Sequence, residues 1–255
     1  MAIKDLDTSK ALSLIDEAET SIDLLLLGLE QLEKTEETDR LHLPLLLLAN
    51  GFERLFKTSL LLGKLKDKRV FPDKLPWEKG RSGHDIINLL DQILELKTVE
   101  GFSRTCKLAK AEIKFIKEDE LLKRLLGVLK DFGQGGRYHN FEYILGSRNN
   151  KDDPIQKWHD IETETALACF NNSAENKVHE ITEASKISFR KIQETIRIAI
   201  GVFARIIVTG ALGEEGKQLK AFYIKQIDWT KPLIEKYGLI SMAHEFDGSK
   251  YEKWD

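Results

Sequence analysis

Apolar residues recur at steps of three or four along most of the chain, which is the spacing that aligns side chains on one face of an α-helix. The clearest run is made of Ala11, Leu14, Ala18, Ile22, Leu25, Leu29 and Leu32. A second stretch begins near Pro44, a residue tolerated in the first turn of a helix, and extends to about Leu65. This stretch is apolar on nearly every side, so it is predicted to lie at the centre of a helical bundle.

The same period continues beyond a loop that contains proline and glycine. Ser82 and Asp85 have the spacing of a capping box that opens a third helix. A fourth helical region is predicted over about residues 104–132, and a short helix follows from about Tyr138 to Leu145. No convincing pair of strands is predicted anywhere, so the fold class is predicted to be all-α.

The polar segment 147–153 is the best candidate for an internal boundary. It divides the chain into an up-down helical bundle over residues 1–147 and a helical extension over residues 148–255. The extension either forms its own unit or packs on the bundle as one unit. A long helix in the extension carries apolar residues at near-heptad spacing between Phe189 and Ile206. This stripe predicts a long helical partner within the chain, or a surface for a second copy or another protein.

Charge and cysteine usage narrow the classes of partner and compartment. The 39 basic and 42 acidic side chains nearly cancel, so any nucleic-acid partner needs a local basic patch. The two cysteines, Cys106 and Cys169, lie far apart, and the first residues lack a secretory signal pattern, which predicts a cytoplasmic protein. The most apolar run, residues 196–212, contains Arg197 and Arg205 and is predicted to be a buried helix and not a membrane span.

Three polar residues stand on one face of the apolar helix that begins near Pro44. Asn50, Glu53 and Lys57 are three and four residues apart, so their side chains project together. Glu53 and Lys57 can form an ordinary surface ion pair one turn apart. Alternatively, the three groups line a cleft and meet charged residues from another helix. Both interpretations stay open at the level of sequence.

A glycine-rich segment, Gly133-Gln134-Gly135-Gly136, precedes Arg137, Tyr138 and His139 at the start of the short helix. Exposed backbone donors beside a guanidinium suit a phosphate group, and a histidine can move a proton near neutral pH. The simpler interpretation is that the glycines end the preceding helix, while Arg137 and His139 cap carbonyl groups or face solvent. His84 stands at another helix start, where it either joins the same cleft or supports the turn.

Three short motifs together resemble the HEPN superfamily of helical bundles, over roughly residues 8–147. They are Asn50-Gly51-Phe52-Glu53-Arg54-Leu55-Phe56-Lys57 within the run 45–64, Gly83-His84-Asp85-Ile86, and Gly136-Arg137-Tyr138-His139. The resemblance implies a HEPN-like bundle that acts, as a homodimer, in a bacterial or phage defence-type or toxin–antitoxin system. It also implies a nucleotide- or RNA-binding site made of Asn50, Lys57, His84 and Tyr138. The catalytic candidates that it implies are Glu53, Arg137 and His139.

Many members of that superfamily are metal-independent endoribonucleases with an arginine and a histidine four to six residues apart. In this chain Arg137 and His139 are only two residues apart, and side chains at that spacing point apart on a helix. The leading prediction is therefore a nucleotide- or RNA-binding or interaction module. The first alternative is an endoribonuclease in which Arg137 stabilises transition-state charge and His139 serves as acid or base. The second is a non-catalytic scaffold whose C-terminal helices bind another protein.

Familiar cofactor motifs are missing from the sequence. None of the six histidines follows a glutamate by three residues, as a di-iron site in a helical bundle requires. There is also no Walker phosphate-binding loop, nucleophile elbow or dinucleotide fingerprint. The sequence therefore predicts a protein without a metal or cofactor.

Overall fold

A computed structural model of the chain describes residues 8–38, 40–68, 71–72, 77, 81–146, 153–170 and 177–237. Within these ranges the protein is all-α and contains no β-strand, as the hydrophobic period predicts. The α-helices are α1 (Thr8–Thr38), α2 (His42–Lys68), α3 (Ile86–Leu94), α4 (Lys97–Ser103), α5 (Lys107–Glu118), α6 (Glu120–Gly133), α7 (His139–Ile144), α8 (Pro154–Phe170), α9 (Lys177–Val208), α10 (Glu214–Gln218), α11 (Lys220–Tyr223) and α12 (Lys231–Lys236). Short 3₁₀ helices lie at Arg81–His84, Gly136–Tyr138 and Ile224–Thr230. None of the helices in the described ranges is both long and apolar enough to cross a membrane.

The first two helices form an antiparallel pair, in which α2 is covered on nearly every side and α1 exposes one face. The whole stripe predicted on α1, from Ala11 to Leu32, is buried. Two glycines allow close approach, because a Cβ atom at Gly51 would lie 2.7 Å from Cγ of Leu25 and one at Gly28 would lie 2.9 Å from a side-chain carbon of α2. Larger side chains at these two positions would push the helices apart. The glycines therefore set the distance between α1 and α2.

Two helix boundaries differ from those predicted, and each of them has an aspartate at the N-cap. The region 104–132 is not one helix, because Asp119 adopts an extended backbone and its carboxylate accepts a hydrogen bond from the Leu122 amide at 2.9 Å. This cap separates α5 from α6. The N-cap position of α3 is Asp85 and not residue 82, and the Asp85 carboxylate accepts from two backbone amides of α3 at 3.1 Å. Both caps satisfy amides that a helix start leaves without partners in the helix.

Residues on both sides of the predicted boundary share one apolar core. The ring of Phe56 on α2 lies 4.8 Å from the ring of Phe203 on α9. The near-heptad residues of α9 that are fully buried in this core are Ile192, Ile196, Ala199, Phe203 and Ile206. The stripe therefore packs against the chain's own helices, and these side chains offer no surface to another protein.

A buried ion pair ties α5 to α9 and to the 3₁₀ helix Ile224–Thr230. Nε of Arg205 donates to Oε1 of Glu112 at 2.7 Å, and Nη2 of Arg205 donates to Oγ1 of Thr230 at 2.9 Å. Glu112 is 0% exposed and Arg205 is 6% exposed. Burial raises the pKa of the Glu112 carboxyl, and the Arg205 guanidinium opposes that rise. Arg205, one of the two arginines in the most apolar run of the sequence, is thus paired with a carboxylate that is also buried.

Candidate functional site

A pocket of about 630 Å³ opens beside the pair formed by α1 and α2. Its walls come from the first turns of α1, the middle of α2, the end of α6 and the segment that joins α2 to α3. Polar and charged side chains of α1 and α2 line it together with the aromatic residues Phe71 and Trp77. The volume lies within the range of about 300–1,000 Å³ that is usual for small-molecule sites.

Glu53 is the centre of a hydrogen-bonded cluster in this pocket. One of its carboxylate oxygens accepts from Nζ of Lys57 at 2.6 Å, and both oxygens lie 3.0 Å from Nδ1 of His84. The Glu53 and Lys57 side chains are 16% and 19% exposed, so water screens this pair less than it screens an ordinary surface pair. Glu53 faces the pocket because it stands on the polar face of α2, whose remaining sides are packed with leucine and phenylalanine.

The start of α3 holds His84 at the pocket. His84 ends the 3₁₀ helix Arg81–His84 and immediately precedes Asp85, whose carboxylate pairs with Nζ of Lys130 on α6 at 2.7 Å. The imidazole is 54% exposed. When Nδ1–H donates to Glu53, Nε2 of the neutral ring is unprotonated and can accept a proton from a bound molecule. The arrangement is that of a histidine oriented by a carboxylate for general base chemistry.

A second ion pair joins the two helices that form the pocket. Nη1 of Arg54 on α2 donates to both carboxylate oxygens of Glu17 on α1, at 2.8 and 2.6 Å. Among the described residues, the basic side chains that line the pocket are Lys10, Arg54 and Lys57, beside the carboxylates of Glu17 and Glu53. Within this described lining, cations outnumber carboxylates by three to two, which favours an anion, and protonation of the nearby imidazole strengthens that attraction.

Two aromatic rings of the pocket each lie near a lysine. Nζ of Lys57 is 5.3 Å from the centre of the Trp77 ring, and Nζ of Lys10 is 5.9 Å from the centre of the Phe71 ring. Distances of this size allow cation–π attraction, which keeps each ring beside its ammonium group. A flat ring next to a cation suits a planar base that carries a phosphate.

Four of the residues singled out in the sequence meet in this pocket, namely Asn50, Glu53, Lys57 and His84. Their meeting corresponds to the cleft interpretation of the polar face on α2. Nδ2 of Asn50 donates to the Leu46 backbone oxygen at 2.8 Å, which orients the amide about one turn before Glu53. Gly133, the first residue of the glycine-rich segment, also lines the pocket.

Two other predicted residues, Tyr138 and His139, are not part of the pocket. His139 is buried, and its Nδ1 lies 4.0 Å from Oδ1 of Asp153 at the start of α8. Tyr138 is exposed outside the pocket. The side chain of Arg137 lies outside the described residues. Contrary to the sequence-based expectation, His139 therefore does not share a pocket with Glu53.

The glycine-rich segment explains the position of His139. Gly135 has a φ of 139°, which L side chains rarely adopt, and a Cβ atom at Gly136 would lie 2.7 Å from Cγ of Pro154. The two glycines let the chain turn tightly against α8, and the turn carries His139 inward. There its ring stacks with that of Tyr143 at a centroid separation of 6.2 Å. Helix α6 ends at Gly133, as the simpler interpretation of the segment has it. That interpretation placed His139 at carbonyl groups or in solvent, whereas the side chain is buried.

Sequence reasoning missed the charged and aromatic residues Lys10, Glu17, Arg54, Phe71 and Trp77, which line the pocket. The sequence spacing could have indicated that Lys10 and Glu17 belong together, because residues 10 and 17 are two helical turns apart and share a face of α1. The packing between the two helices decides which face of α1 contacts α2. The sequence of α1 alone does not indicate that face. The two aromatic residues lie in a connecting segment, where side-chain direction has no period.

The described part of the chain contains no group of three or more His, Cys, Asp or Glu side chains arranged to hold a metal ion. No family model, curated protein or solved structure matches the chain. The function of the pocket therefore rests on its own geometry and chemistry.

Proposed function

We propose that the pocket binds a nucleotide, free or as a unit of RNA, and that the chain is a HEPN-like binding module of a bacterial or phage defence-type system. The observation that carries the proposal is the cluster of Glu53, Lys57 and His84 beside the Trp77 ring. It combines anion-attracting groups with a stacking surface in one cavity. The HEPN-like motifs support the same assignment, because two of them contain the three residues of the cluster.

Each part of a nucleotide has a matching group in the pocket. Lys57 and Arg54 bind the phosphate, since ammonium and guanidinium groups make charge-assisted hydrogen bonds to phosphate oxygens. The base stacks on Trp77, a contact that contributes about 1–3 kcal/mol and tolerates any base. The Asn50 amide supplies a hydrogen-bonding group for the base edge or the sugar.

A fluorescence-anisotropy titration with labelled single-stranded RNA, with unlabelled nucleotides as competitors, tests this proposal. Trp77→Ala is expected to weaken binding by about 5- to 150-fold, which corresponds to the ~1–3 kcal/mol of one stacked base. Lys57→Ala is expected to weaken binding and to reduce its dependence on salt, because one cation–phosphate contact is lost.

Lys34→Ala is the matched control for the lysine variant. Lys34 pairs with Glu30 one turn earlier on α1 at 2.7 Å, which is the same kind of pair as Lys57 with Glu53 but lies outside the pocket. This control is expected to bind RNA as the unsubstituted protein does. Absence of saturable binding by the unsubstituted protein, or equal binding by the pocket variants and the control, would contradict the proposal.

A second candidate function is metal-independent cleavage of RNA, which the hydrogen bonds between Glu53 and His84 favour. His84 then takes the part that sequence reasoning assigned to His139. Nε2 of His84 removes the proton of a ribose 2′-hydroxyl, the 2′-oxygen attacks the adjacent phosphorus, and the bond between phosphorus and the 5′-oxygen breaks. The departing 5′-oxygen takes a proton from water. Lys57 and Arg54 stabilise the charge that develops on the phosphate oxygens. The products are a 2′,3′-cyclic phosphate and a 5′-hydroxyl.

A further inference from the structure

The short helix α7 turns large apolar side chains outward. In α7 and the residues that flank it, the exposed fractions of Tyr138, Phe141, Tyr143, Ile144 and Leu145 lie between 53% and 80%. The other exposed large apolar residues in the described ranges are far apart from one another in the sequence. Single exposed residues are normal on a protein surface, whereas a cluster marks a site of interaction.

The two faces of α7 are the reverse of those on an ordinary surface helix. Phe141, Ile144 and Leu145 are three and four residues apart, so they form one stripe, and this stripe is exposed. His139 stands on the opposite face and is buried. A surface helix normally buries its apolar stripe and exposes its polar one. The helix α7 therefore has the pattern expected when the apolar face packs on another molecule.

We propose that the patch formed by these five residues, with the stripe of α7 at its centre, is the contact between two copies of this chain, related by a twofold axis. A large apolar side chain presents on the order of 150–200 Å² when fully exposed, so the five together present on the order of 600 Å². A standard interface buries about 800 Å² from each partner. The patch thus supplies most of the area that one subunit contributes to a contact of ordinary size.

The lack of charge favours a second copy over an unlike partner. Glu142 is the only Asp, Glu, Lys or Arg residue between Tyr138 and Gly146, and it is half-buried. Among its described residues the patch therefore carries one partly exposed charge, which offers little to select a partner of complementary charge. In a twofold contact the same patch is used on both subunits, so an apolar stripe is complementary to itself.

Sedimentation velocity of the full chain, at concentrations from about 1 to 100 µM, tests the contact. The unsubstituted protein is expected to dimerise, and Phe141→Asp and Leu145→Asp are each expected to raise the dissociation constant by about 10-fold or more. Leu12→Asp is the matched control, because Leu12 is 56% exposed on α1 and is not part of an apolar cluster. Because all three side chains are exposed, the variants are expected to keep the helical circular dichroism of the unsubstituted protein.

Three results would overturn the inference. The first is a monomer at every concentration, even if the protein captures another macromolecule. The second is a dimer that both α7 variants leave unchanged, since the contact would then lie elsewhere. The third is equal weakening by Leu12→Asp. None of these results depends on RNA, so failure of this contact and failure of the pocket to bind a nucleotide are separate outcomes.

Discussion

Replacing Arg205 by alanine is expected to lower the free energy of unfolding by about 3–5 kcal/mol, the usual cost of leaving one partner of a buried ion pair alone. The substitution would strand the Glu112 carboxylate, which is fully buried and accepts from Nε of Arg205 at 2.7 Å. It would also remove a donor to Oγ1 of Thr230. Urea denaturation followed by circular dichroism measures the change.

Two further variants show whether the loss comes from a stranded charge. The double replacement Arg205→Met with Glu112→Leu removes both charges at similar volume, so its stability is expected to lie within about 2 kcal/mol of that of the unsubstituted protein. Arg124→Ala is the surface counterpart, because Arg124 pairs with Glu164 at 2.7 Å and both side chains are largely exposed. Its cost is expected to be below about 1 kcal/mol. Equal losses from Arg205→Ala and Arg124→Ala would contradict the assignment.

The stability of Arg205→Ala is expected to depend on pH through Glu112. Burial already raises the pKa of Glu112 above its ordinary value of 4.5, and the variant lacks the guanidinium that opposes this rise. A carboxyl with a raised folded-state pKa favours folding below its unfolded-state pKa, and that contribution is lost as pH rises through the folded-state pKa. The deficit of the variant relative to the unsubstituted protein should therefore shrink as the pH falls. Denaturation at several pH values checks this, and adding Glu112→Gln should flatten the dependence.

Replacing His84 by alanine is expected to slow RNA cleavage by about 100- to 10,000-fold, the usual contribution of a general base. The imidazole carries the expected proton acceptor, and its orientation comes from two contacts of 3.0 Å between Nδ1 and the Glu53 carboxylate. The measurement is incubation of the full chain with an RNA oligonucleotide in excess chelator. Mass spectrometry then identifies the 2′,3′-cyclic phosphate ends, and a 2′-deoxy oligonucleotide should remain intact because it lacks the attacking oxygen.

His159→Ala is the matched control for this experiment. Nδ1 of His159 lies 3.1 Å from Oε2 of Glu162 on α8, so the chain contains a second histidine–glutamate pair that is outside the pocket. Cleavage by His159→Ala is expected to equal that of the unsubstituted protein. RNA that is bound but left intact by the unsubstituted protein would contradict cleavage and leave the binding proposal standing. RNA that is neither bound nor cleaved would contradict both.

The helices around the pocket are predictable from sequence because their apolar periods are strong. The stripe from Ala11 to Leu32 and the apolar helix from Pro44 to Leu65 appear as α1 and α2, both of which pack in the core. The boundary errors at Ser82 and Asp119 have a local cause. A short polar side chain can accept from nearby backbone amides, and the helical period does not say which of several such residues will do so.

The sequence by itself determines which side chains share a helical face, because that is a property of a single helix. The sequence therefore predicts that Asn50, Glu53 and Lys57 project from one face of a helix. Tertiary structure alone decides which faces meet. His84, 31 residues from Glu53, reaches its carboxylate, whereas His139 turns inward where Gly136 packs closely on α8. Such contacts depend on how whole helices pack against each other, to within about an ångström. This packing produces no repeating pattern in the sequence, so the sequence alone does not predict these contacts.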